Sequence, residues 1–470
     1  MHVVVVGAGV SGLGASLALA RRGHRVTVLE RDVQGPPAEP SAAFADWHRP
    51  GVPHFRLPHL VLGLGRALLA REFPDVLETL AAAGAADLFF RDRVPGGPGP
   101  EDADLVALAC RRPLFEWGFR TVAERAPNVT IRTGVRAEGL AATGSRITGV
   151  RTQDDHTIEA DLIIDASGRG SRIGAWLAEL GLPEPAEDAD PCGLMYYSRY
   201  FRPDPSFTYP TRQSLFGPRG DLGYMGFATF PGEHGSWCLA LSLPPWDADL
   251  RAIRQQAAFM AAGRSIPAVL PMIDASVPTT PVLLMGELRN RTRSLVVDGE
   301  PVATGVVTIG DALTQTDPSF GWGLSIGLQQ AVRLAELAGA ADGDARALAR
   351  AFESDVAAWS ASYYRASRDM DRGRTRWWRG EVTPAEAYAI GGPLFPAALA
   401  FAGRSDPEIY RAATRRNNLL DPVDQLMADR PLLERAAALF AEQRRTAPPP
   451  PPAGPDRAAM LDIVREAATD

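Results

Sequence analysis

The chain has 470 residues, 46% of them hydrophobic and 22% charged, which is enough apolar material for two or three globular domains. Its formal net charge of −7 shows no basic excess of the kind that attracts nucleic acid, so direct nucleic-acid binding is not expected. All 49 basic residues are arginine, and the absence of lysine excludes every mechanism that needs a lysine amine.

Cysteine usage and apolar patterning predict a cytoplasmic protein. Cys110, Cys192 and Cys238 lie far apart and show no spacing typical of a disulfide framework or of a metal site, so no metal is expected. The N-terminal apolar run leads into a glycine turn and not into a cleavage site, so no signal peptide is predicted. No apolar run is long enough to form a transmembrane segment.

The first thirty residues carry the pattern of a dinucleotide-binding unit. An apolar run at 2–6 leads into the glycine-rich segment 7–12, a helical pattern follows, and a second short strand at 24–29 ends on Glu30. The order strand, GxGxxG, helix, strand, acid is the full context of the fingerprint, whereas GxGxxG alone is weak evidence. The alternative is a chance glycine-rich turn in a parallel sheet.

Each glycine of this segment has a physical role in the fingerprint. Gly7 permits the tight turn, Gly9 lets the backbone approach a pyrophosphate, and Gly12 lets the helix pack closely on the strand. Glu30 would accept hydrogen bonds from an adenosine ribose. The motif fits NAD and FAD equally, but its position at the start of a long chain favours FAD.

Several further elements are predicted before residue 182. Apolar spacing predicts a helix over 60–83, a strand at 105–110, a helix opened by Arg112-Pro113, a strand at 129–133 and a hairpin over 139–159. A buried strand at 162–164 then runs into a small, glycine-rich turn that begins at Asp165. Such a turn can approach a ligand closely, or it can be an ordinary connection to the helix predicted at 173–180.

The pattern changes near residue 191. The acidic, proline-containing segment 182–191 is predicted to be a boundary, and aromatic β-rich segments follow at 195–201, 213–216, 223–230 and 236–243. With few helices between them, these strands predict an antiparallel sheet. Its aromatic residues either line an apolar pocket or simply pack the sheet: Tyr196, Tyr197, Tyr200, Tyr224, Phe227 and Trp237.

A third glycine-rich stretch follows a buried strand predicted at 302–309. It begins with Gly310-Asp311 and ends at Gly323, where a helix starts. A carboxylate at the end of a strand suits the binding of a hydroxyl group, and the backbone amides of the glycines suit a polar ring edge. The remainder is predicted to be helical, with Trp377-Trp378 as a lid, domain contact or interface, and a Pro-rich linker at 447–455.

Taken together, these stretches resemble the class A flavoprotein monooxygenases, the family of p-hydroxybenzoate hydroxylase. The closer resemblance is to the branch of bacterial polyether epoxidases, isoprenoid reductases and flavin-dependent halogenases. It is carried by segment 7–12 with Glu30, and by segment 310–323, which matches Gly-Asp-Ala followed by Pro-x-x-Gly-x-Gly. Segments 49–53 and 112–114 also resemble the epoxidase branch, and the resemblance extends from residue 1 to about 337.

The resemblance implies an α/β fold in which a Rossmann-like FAD-binding domain is interrupted by an antiparallel-sheet substrate domain. The FAD-binding domain would comprise residues 1–190 and 291–345, and the substrate domain residues 191–290. A C-terminal helical region would follow over 346–470.

The resemblance also implies roles for individual residues. Asp311 would hydrogen-bond the ribityl chain, and Arg112 would approach the cofactor from its helix. The full set expected to bind FAD is Gly7, Gly9, Gly12, Glu30, Arg31, Arg112, Asp165, Gly310, Asp311, Pro318, Gly321 and Gly323. The candidates for catalytic polar contacts near the flavin lie in one basic loop, and the alternative is a solvated loop with no such role: Arg49, His54, Arg56 and His59. A histidine titrating near neutrality could deliver a proton.

The activity implied is FAD-dependent monooxygenation through a flavin C4a-hydroperoxide. One atom of O2 would enter an apolar or aromatic small molecule, such as a natural-product intermediate, by hydroxylation or epoxidation. The hydroxylases carry an Asp-Gly motif used for FAD and NAD(P)H, but this chain has Asp165-Ala166-Ser167-Gly168. The reductant is therefore either NADH or NADPH, bound transiently, or reduced flavin supplied by a partner flavin reductase.

Other activities remain as alternatives. Halogenation is disfavoured because family halogenases use an essential lysine and a Trp-x-Trp-x-x-Pro signature, and this chain lacks both. An FAD-dependent dehydrogenase or reductase acting on a C–C or C=C bond shares the FAD motifs. A non-catalytic flavin-binding or prenyl-lipid escort protein is the alternative from another class. The sequence predicts no oligomeric state.

Overall fold

A five-stranded parallel sheet carries the glycine-rich segment 7–12 at its centre. The computed structural model describes residues 1–207, 216–446 and 453–469. The strand order across the sheet is Val306–Thr308, Leu162–Asp165, His2–Val6, Arg25–Glu30 and Val129–Thr133, all parallel. Four of its strands are buried on both faces, as their Val- and Ile-rich sequences predict, and the edge strand Val129–Thr133 is partly exposed.

Two helices pack against each other beside this sheet. Val10–Ala20 follows the glycine-rich segment, and Gly323–Ala340 follows the third glycine-rich stretch. A Cβ atom placed on Gly14 would lie 2.9 Å from Leu328 Cδ2, so a glycine here permits the close packing of the two helices. The two glycine-rich stretches are thereby held at the same edge of the sheet.

The second large sheet has six antiparallel strands. Its main path runs Arg219–Asp221, Gly226–Pro231, Trp237–Leu243, Met195–Pro203 and Ser276–Pro278, and Leu283–Met285 also pairs with Met195–Pro203. One apolar core associated with it includes Phe259 and, from the last helix, Met460; another includes Trp322 and Tyr363. The fold class predicted from the sequence is confirmed: parallel and antiparallel sheets with a C-terminal helical region.

Two segments differ from the sequence predictions. The helix predicted over 60–83 is two helices, Gly63–Glu72 and Pro74–Ala82, because Pro74 lacks the N–H that a continuous helix requires. The segment predicted as an irregular boundary contains the strand Ala186–Pro191, which pairs with Arg289–Ser294. The acidic strand is accommodated because the Arg293 Nε atom lies 2.7 Å from the Glu187 Oε2 atom across the pair.

The other strands are short and mostly antiparallel. They are Ala86–Phe89, Val106–Ala109, Ala137–Thr143, Arg146–Thr152, Thr157–Glu159, Val296–Val297, Glu300–Pro301 and Thr314–Gln315. Of the predicted strand 213–216, residues 213–215 lie outside the described residues, as do residues 447–452 of the predicted Pro-rich linker.

Helices make up most of the remainder. They are Ala43–Asp46, Arg112–Arg125, Ile173–Glu179, Gln256–Arg264, Leu270–Asp274, Ala345–Phe352, Ala358–Trp378, Pro384–Tyr388, Phe395–Ala402, Pro407–Asn417, Gln425–Ala428, Arg430–Thr446 and Arg457–Thr469. Within the described ranges, none of the helices combines the length and the apolar character needed to cross a bilayer.

Candidate functional site

A cavity of about 490 Å³ opens at the carboxyl ends of the central parallel strands. Val6 and Glu30 end two of these strands and both line it. The three glycine-rich stretches meet there, since Gly9, Gly168 and Gly321 all lie in its wall. This edge of an open α/β sheet is where ligands of such folds bind.

The glycine turn leaves room for a ligand on one side only. Gly7 has a φ of +106°, and a Cβ atom on Gly12 would lie 2.0 Å from the Gly7 carbonyl oxygen. A Cβ atom on Gly9 would meet only the Glu116 Oε1 atom, at 3.8 Å. Gly7 and Gly12 are therefore required by the protein's own backbone, whereas the space beside Gly9 faces the cavity.

Glu30 is held by two backbone amides at the end of its strand. The Ala8 N–H donates to Oε2 at 3.0 Å, and the Asp32 N–H donates to Oε1 at 2.9 Å. Its side chain lines the cavity. Arg31 also lines the cavity, and it donates to the Gly51 carbonyl oxygen at 2.6 Å.

Arg49 is enclosed by three carboxylates. Its guanidinium pairs with Glu30 and Glu116, and its Nε atom lies 3.1 Å from the Asp32 Oδ2 atom. It also donates to the Ala8 carbonyl oxygen at 3.1 Å. Burial lowers the pKa of Arg49, but Glu116, Glu30 and Asp32 outweigh that effect and raise it. Arg49 thus belongs with Gly7, Gly9, Glu30 and Arg31, which together we call the glycine-turn group.

A second set of polar side chains lies in the same cavity: His54, His59, Arg112 and Asp311, which we call the histidine group. The Arg112 Nη1 atom lies 3.2 Å from the His59 Nε2 atom, and the His59 Nδ1 atom lies 2.8 Å from the Leu57 carbonyl oxygen. Because a carbonyl oxygen only accepts, His59 carries its proton on Nδ1 and accepts from Arg112 through Nε2. The rings of His54 and His59 are stacked, with centroids 5.7 Å apart.

Neither histidine titrates near neutrality. Burial lowers the pKa of His59 to about 3, with the Arg112 charge acting in the same direction. Burial, together with Arg112, His59 and Arg169, holds the pKa of His54 well below its usual value. Both rings are thereby kept neutral at physiological pH, which argues against a histidine that titrates near pH 7, while the catalytic roles of His54 and His59 stay predictions.

Asp311 presents an unengaged carboxylate to the cavity. It lies in the turn Gly310–Ala312, directly after the strand that ends at Thr308. Within residues 1–207, 216–446 and 453–469, no hydrogen bond reaches its side-chain oxygens. Burial raises the pKa of Asp311, and the positive charges of Arg112, Arg169 and Arg291 oppose the increase. The carboxylate is free to accept hydrogen bonds from a bound molecule.

The remaining predicted residues divide into those in the cavity wall and those outside it. Gly310, Pro318, Gly321 and Gly323 line the cavity. Asp165 lies beneath the wall, fully buried, and accepts from the Ser171 hydroxyl at 2.5 Å.

Asp165 shapes the turn that does line the cavity. The Ser167 N–H donates to its Oδ1 atom at 3.0 Å. Arg56 does not join either group, because it donates to the Ala45 carbonyl oxygen at 2.6 Å and lies outside the wall. Of the predicted catalytic candidates, the structure thus brings His54 and His59 together and separates Arg56 from them.

The aromatic residues of the antiparallel sheet mostly pack the sheet. Among the described residues, Tyr196 is the one predicted aromatic in the cavity wall, beside Met285 and Leu288. Trp237 is fully buried and stacks on Phe201, with ring centroids 4.4 Å apart. The cavity therefore has an apolar wall, but a smaller one than the sequence suggests.

Sequence reasoning missed the carboxylates around Arg49. Glu116 is fully buried on the helix Arg112–Arg125, and Asp32 lies two positions after Glu30. An acid at an otherwise apolar helical position is a signal for a buried ion pair, because an unpaired buried carboxylate is costly.

Comparisons with known proteins agree with this geometry. Residues 2–95 match the family model described as FAD dependent oxidoreductase, and residues 104–181 match the model described as tryptophan halogenase. Protein Rv3254 of Mycobacterium tuberculosis (strain ATCC 25618 / H37Rv) is 29% identical over 472 residues, which cover 93% of each chain.

Solved structures share the fold. The chain is similar to PqsL of Pseudomonas aeruginosa, described as a probable FAD-dependent monooxygenase, with a TM-score of 0.59 and 16% identity over 81% of this chain and 99% of that one. It is also similar to a flavoprotein/dehydrogenase from Cytophaga hutchinsonii, with a TM-score of 0.62 and 15% identity over 94% of this chain and 100% of that one. At these identities, the likeness concerns the fold.

Proposed function

We propose that this chain, an FAD-dependent oxidoreductase with the fold of the class A flavoprotein monooxygenases, inserts one oxygen atom from O2 into an apolar or aromatic small molecule. One observation carries the proposal. The glycine turn, which suits a dinucleotide, and two neutral histidines line the same cavity. Such a wall suits chemistry that the cofactor and O2 perform, with the protein supplying orientation and a dry surface.

The residues present fit FAD. The open side of Gly9 accommodates a pyrophosphate, and the N-terminus of helix Val10–Ala20 has no side-chain cap, so its amides can face an anion. Glu30 is positioned for a ribose. The free carboxylate of Asp311 suits the hydroxyls of a ribityl chain. We propose these residues, with Arg31, Gly310, Pro318, Gly321 and Gly323, as the FAD site.

Each polar group of the histidine group has a proposed task. Bound FAD supplies the electron transfer and the activation of O2. Arg112 pairs through its Nε atom with the Glu116 Oε2 atom, at 3.3 Å, and directs its Nη1 atom to His59, which accepts without adding a negative charge. His59 orients Arg112, and the neutral ring of His54 stacks on the His59 ring. These positions favour negative charge that develops in the cavity.

The apolar wall defines the proposed substrate. Leu60, Tyr196, Met285 and Leu288 exclude water from one side of the cavity. Burial raises the pKa of Tyr196, so its hydroxyl stays protonated at neutral pH. An apolar or aromatic molecule packs on such a wall without leaving charged groups unpaired.

A dehydrogenase would need a base to remove a proton from its substrate. His59 is a weak base, since its pKa is about 3 and its Nε2 lone pair already accepts from Arg112. His54 is likewise held in its neutral form. Neither histidine therefore offers a strong base for substrate dehydrogenation, which favours oxygen insertion as the proposed reaction.

The test begins with the purified chain and added FAD. We expect a stoichiometric FAD complex that is reduced under anaerobic conditions by NADH, by NADPH or by a flavin reductase, and that consumes O2 when air is admitted. Comparing the three reductants identifies the electron donor. A panel of phenols, aromatic amines and polyenes then supplies substrates, and product formation should require O2. Product formation without O2, with an artificial electron acceptor, would contradict monooxygenation.

A further inference from the structure

The long helix Ala358–Trp378 reaches the cavity only through other residues. It hydrogen-bonds, directly or through one intermediary, to the beginning and the middle of the glycine-rich segment 310–323. This segment contributes Gly310, Asp311, Pro318, Gly321 and Gly323 to the cavity wall.

The first connection holds the beginning of the segment. The Gly310 N–H donates to the Gln330 Oε1 atom at 2.6 Å, and the Gln330 Nε2 atom donates to the Ser360 hydroxyl at 2.8 Å. Gln330 and Ser360 are both fully buried. Because buried polar groups are costly to leave unpaired, this chain fixes Gly310 relative to the long helix.

The second connection holds the middle of the segment. The Asp317 N–H is shared between the Ser367 hydroxyl at 2.9 Å and the Asn290 Oδ1 atom at 3.0 Å. The Ser367 hydroxyl in turn donates to the Asn290 Oδ1 atom at 2.6 Å. The Asp317 Oδ1 atom accepts from the Ser319 N–H at 2.8 Å, which forms the turn that begins at Pro318. Asp317 therefore links the helix to the turn.

A buried charged cluster reinforces this connection. The Arg374 Nη1 atom lies 2.9 Å from the Asp317 Oδ2 atom, and its Nη2 atom lies 2.6 Å from the Asp371 Oδ1 atom. The Asn290 Nδ2 atom donates to the Asp371 Oδ2 atom at 2.7 Å. Asp317 and Asp371 are both buried, with 0% and 1% exposure.

In this cluster the single positive charge of Arg374 contacts two acids, Asp317 and Asp371. Burial and the nearby Asp317 charge hold the pKa of Asp371 well above its usual value. Although burial opposes it, the Arg374 charge helps to lower the pKa of Asp317. Arg374 thus contacts both acids, and the charged form is favoured at Asp317 and disfavoured at Asp371.

The far end of the helix contacts the antiparallel sheet. The Trp377 indole N–H donates to the Asp221 Oδ1 atom at 3.0 Å, and the Trp378 indole N–H donates to its Oδ2 atom at 2.9 Å. Of the three roles expected for this tryptophan pair, the structure shows a contact between the helix and the sheet. The helix therefore joins the antiparallel sheet to segment 310–323.

We propose that Asp317, Asp371 and Arg374 are positioning residues, through which the helix Ala358–Trp378 holds segment 318–323 in the conformation that faces FAD. The proposal rests on the proposed function in one respect, that this segment faces FAD. It gives the C-terminal helical region a part in cofactor binding, although none of the three residues lies in the cavity wall. Gly321, whose φ is +70°, is the residue most dependent on being held.

The main test compares two arginines of the same helix. Arg374→Met removes the buried ion pair. Arg372→Met removes an ion pair of a mostly exposed arginine, whose Nη2 atom lies 2.7 Å from the Asp190 Oδ1 atom. We expect Arg374→Met to raise the FAD dissociation constant at least tenfold and to alter the visible spectrum of bound flavin. Arg372→Met should change neither. Thermal unfolding of both apo-proteins verifies that they are folded.

Two further sets of variants keep the test decisive if Arg374→Met does not fold. Asp371→Asn keeps a side chain of the same size with hydrogen-bonding groups and should bind FAD within about threefold of wild type, while Asp371→Leu should bind at least tenfold more weakly. The double variant S360A/S367A removes hydroxyls from both connections without burying a charge, and we expect a loss of several-fold in affinity. Rescue by asparagine but not by leucine separates positioning through hydrogen bonds from simple filling of space.

The outcomes distinguish this proposal from the proposed function. Folded Arg374→Met, Asp371→Leu or S360A/S367A protein with wild-type FAD affinity and an unchanged flavin spectrum overturns the positioning role. If the wild-type chain binds FAD and the variants lose affinity as expected, the positioning role stands even when no oxygen is inserted into any substrate. Failure of the wild-type chain to bind FAD overturns both.

Discussion

The glycine-turn group and the histidine group share one cavity but differ in how their charges are paired. In the glycine-turn group, Arg49 contacts three carboxylates, and Glu30 accepts from two backbone amides. In the histidine group, within the described part of the chain, no hydrogen bond reaches the Asp311 carboxylate and the His54 Nδ1 atom has no partner. Arg49 and Glu30 are thus paired without a ligand, whereas Asp311 and the His54 Nδ1 atom are not.

This difference separates structural from ligand-binding roles. A buried charge that is already paired stabilises the protein's own conformation, and removing its partner destabilises the fold. A polar atom left without a partner in a cavity wall is costly unless a ligand engages it. Removal of the paired charge of Arg49 should therefore act mainly on the apo-protein, and removal of the unpaired charge of Asp311 mainly on ligand binding.

The largest effect is expected from Arg49→Met. The change leaves Glu30, Asp32 and Glu116 without their common partner, and removing one partner of a buried ion pair costs about 3–5 kcal/mol. Urea unfolding of the apo-protein measures the loss. Arg56→Met, in the same loop but outside the cavity wall, serves as the control and should unfold like wild type. Equal stability of the two variants would break the comparison.

Two neighbouring glycines sharpen the comparison within one turn. Gly12→Ala places a Cβ atom 2.0 Å from the Gly7 carbonyl oxygen and should destabilise the apo-protein by about 1–3 kcal/mol. Gly9→Ala meets only Glu116 Oε1 at 3.8 Å, and its φ of −80° suits alanine, so the apo-protein should keep its stability while FAD binding weakens. Unfolding curves and FAD titrations of both variants test this. An unstable Gly9→Ala apo-protein would argue against an open cofactor face.

His59 should make stability depend on pH. Its folded pKa, about 3, lies below the unfolded value of 6.5, so the unfolded chain binds more protons between these values. Stability is therefore lost as the pH falls below 6.5, by about 2 kcal/mol at pH 5. His59→Gln should lose less over the same range. The free energy of unfolding of both proteins between pH 5 and 7 decides the matter, and identical pH slopes would show that His59 is not a buried neutral ring.

The smallest effect is expected from Asp311→Asn. Because burial raises the folded pKa of Asp311, its charged form is disfavoured, and apo-protein stability falls as the pH rises through that pKa. The variant should therefore be at least as stable as wild type at neutral pH, yet bind FAD about tenfold more weakly, a loss of about 1.4 kcal/mol. Calorimetric titration with FAD measures both the affinity and its loss. A destabilised apo-protein with wild-type affinity would place Asp311 with the structural residues instead.

The parallel core could be predicted from the sequence because its signals are local. The strands at 2–6 and 162–164 are short, buried apolar runs that end in glycine-rich turns, and the structure has strands at both places. The interruption at Pro74 was missed because the apolar spacing continues across it. The strand Ala186–Pro191 was missed because it depends on pairing with a partner about one hundred positions along the chain.

The site could be predicted only in part, for the same reason. The residues expected to bind FAD have local glycine and acid patterns, and their roles stay predictions. The partners of Arg49 and the connections to Arg374 involve residues brought together by the fold, which spacing does not reveal. The low pKa of His59 likewise arises from burial and from Arg112, fifty-three positions away.

The most direct test of the central claim is to supply the FAD-loaded chain, its reductant and an accepted substrate with isotopically labelled O2, and to analyse the product by mass spectrometry. Oxygen insertion by this chain predicts one labelled oxygen atom in each product molecule. A product that forms with no labelled oxygen, or that forms equally well without O2, would contradict a monooxygenase and favour a dehydrogenase built on the same fold.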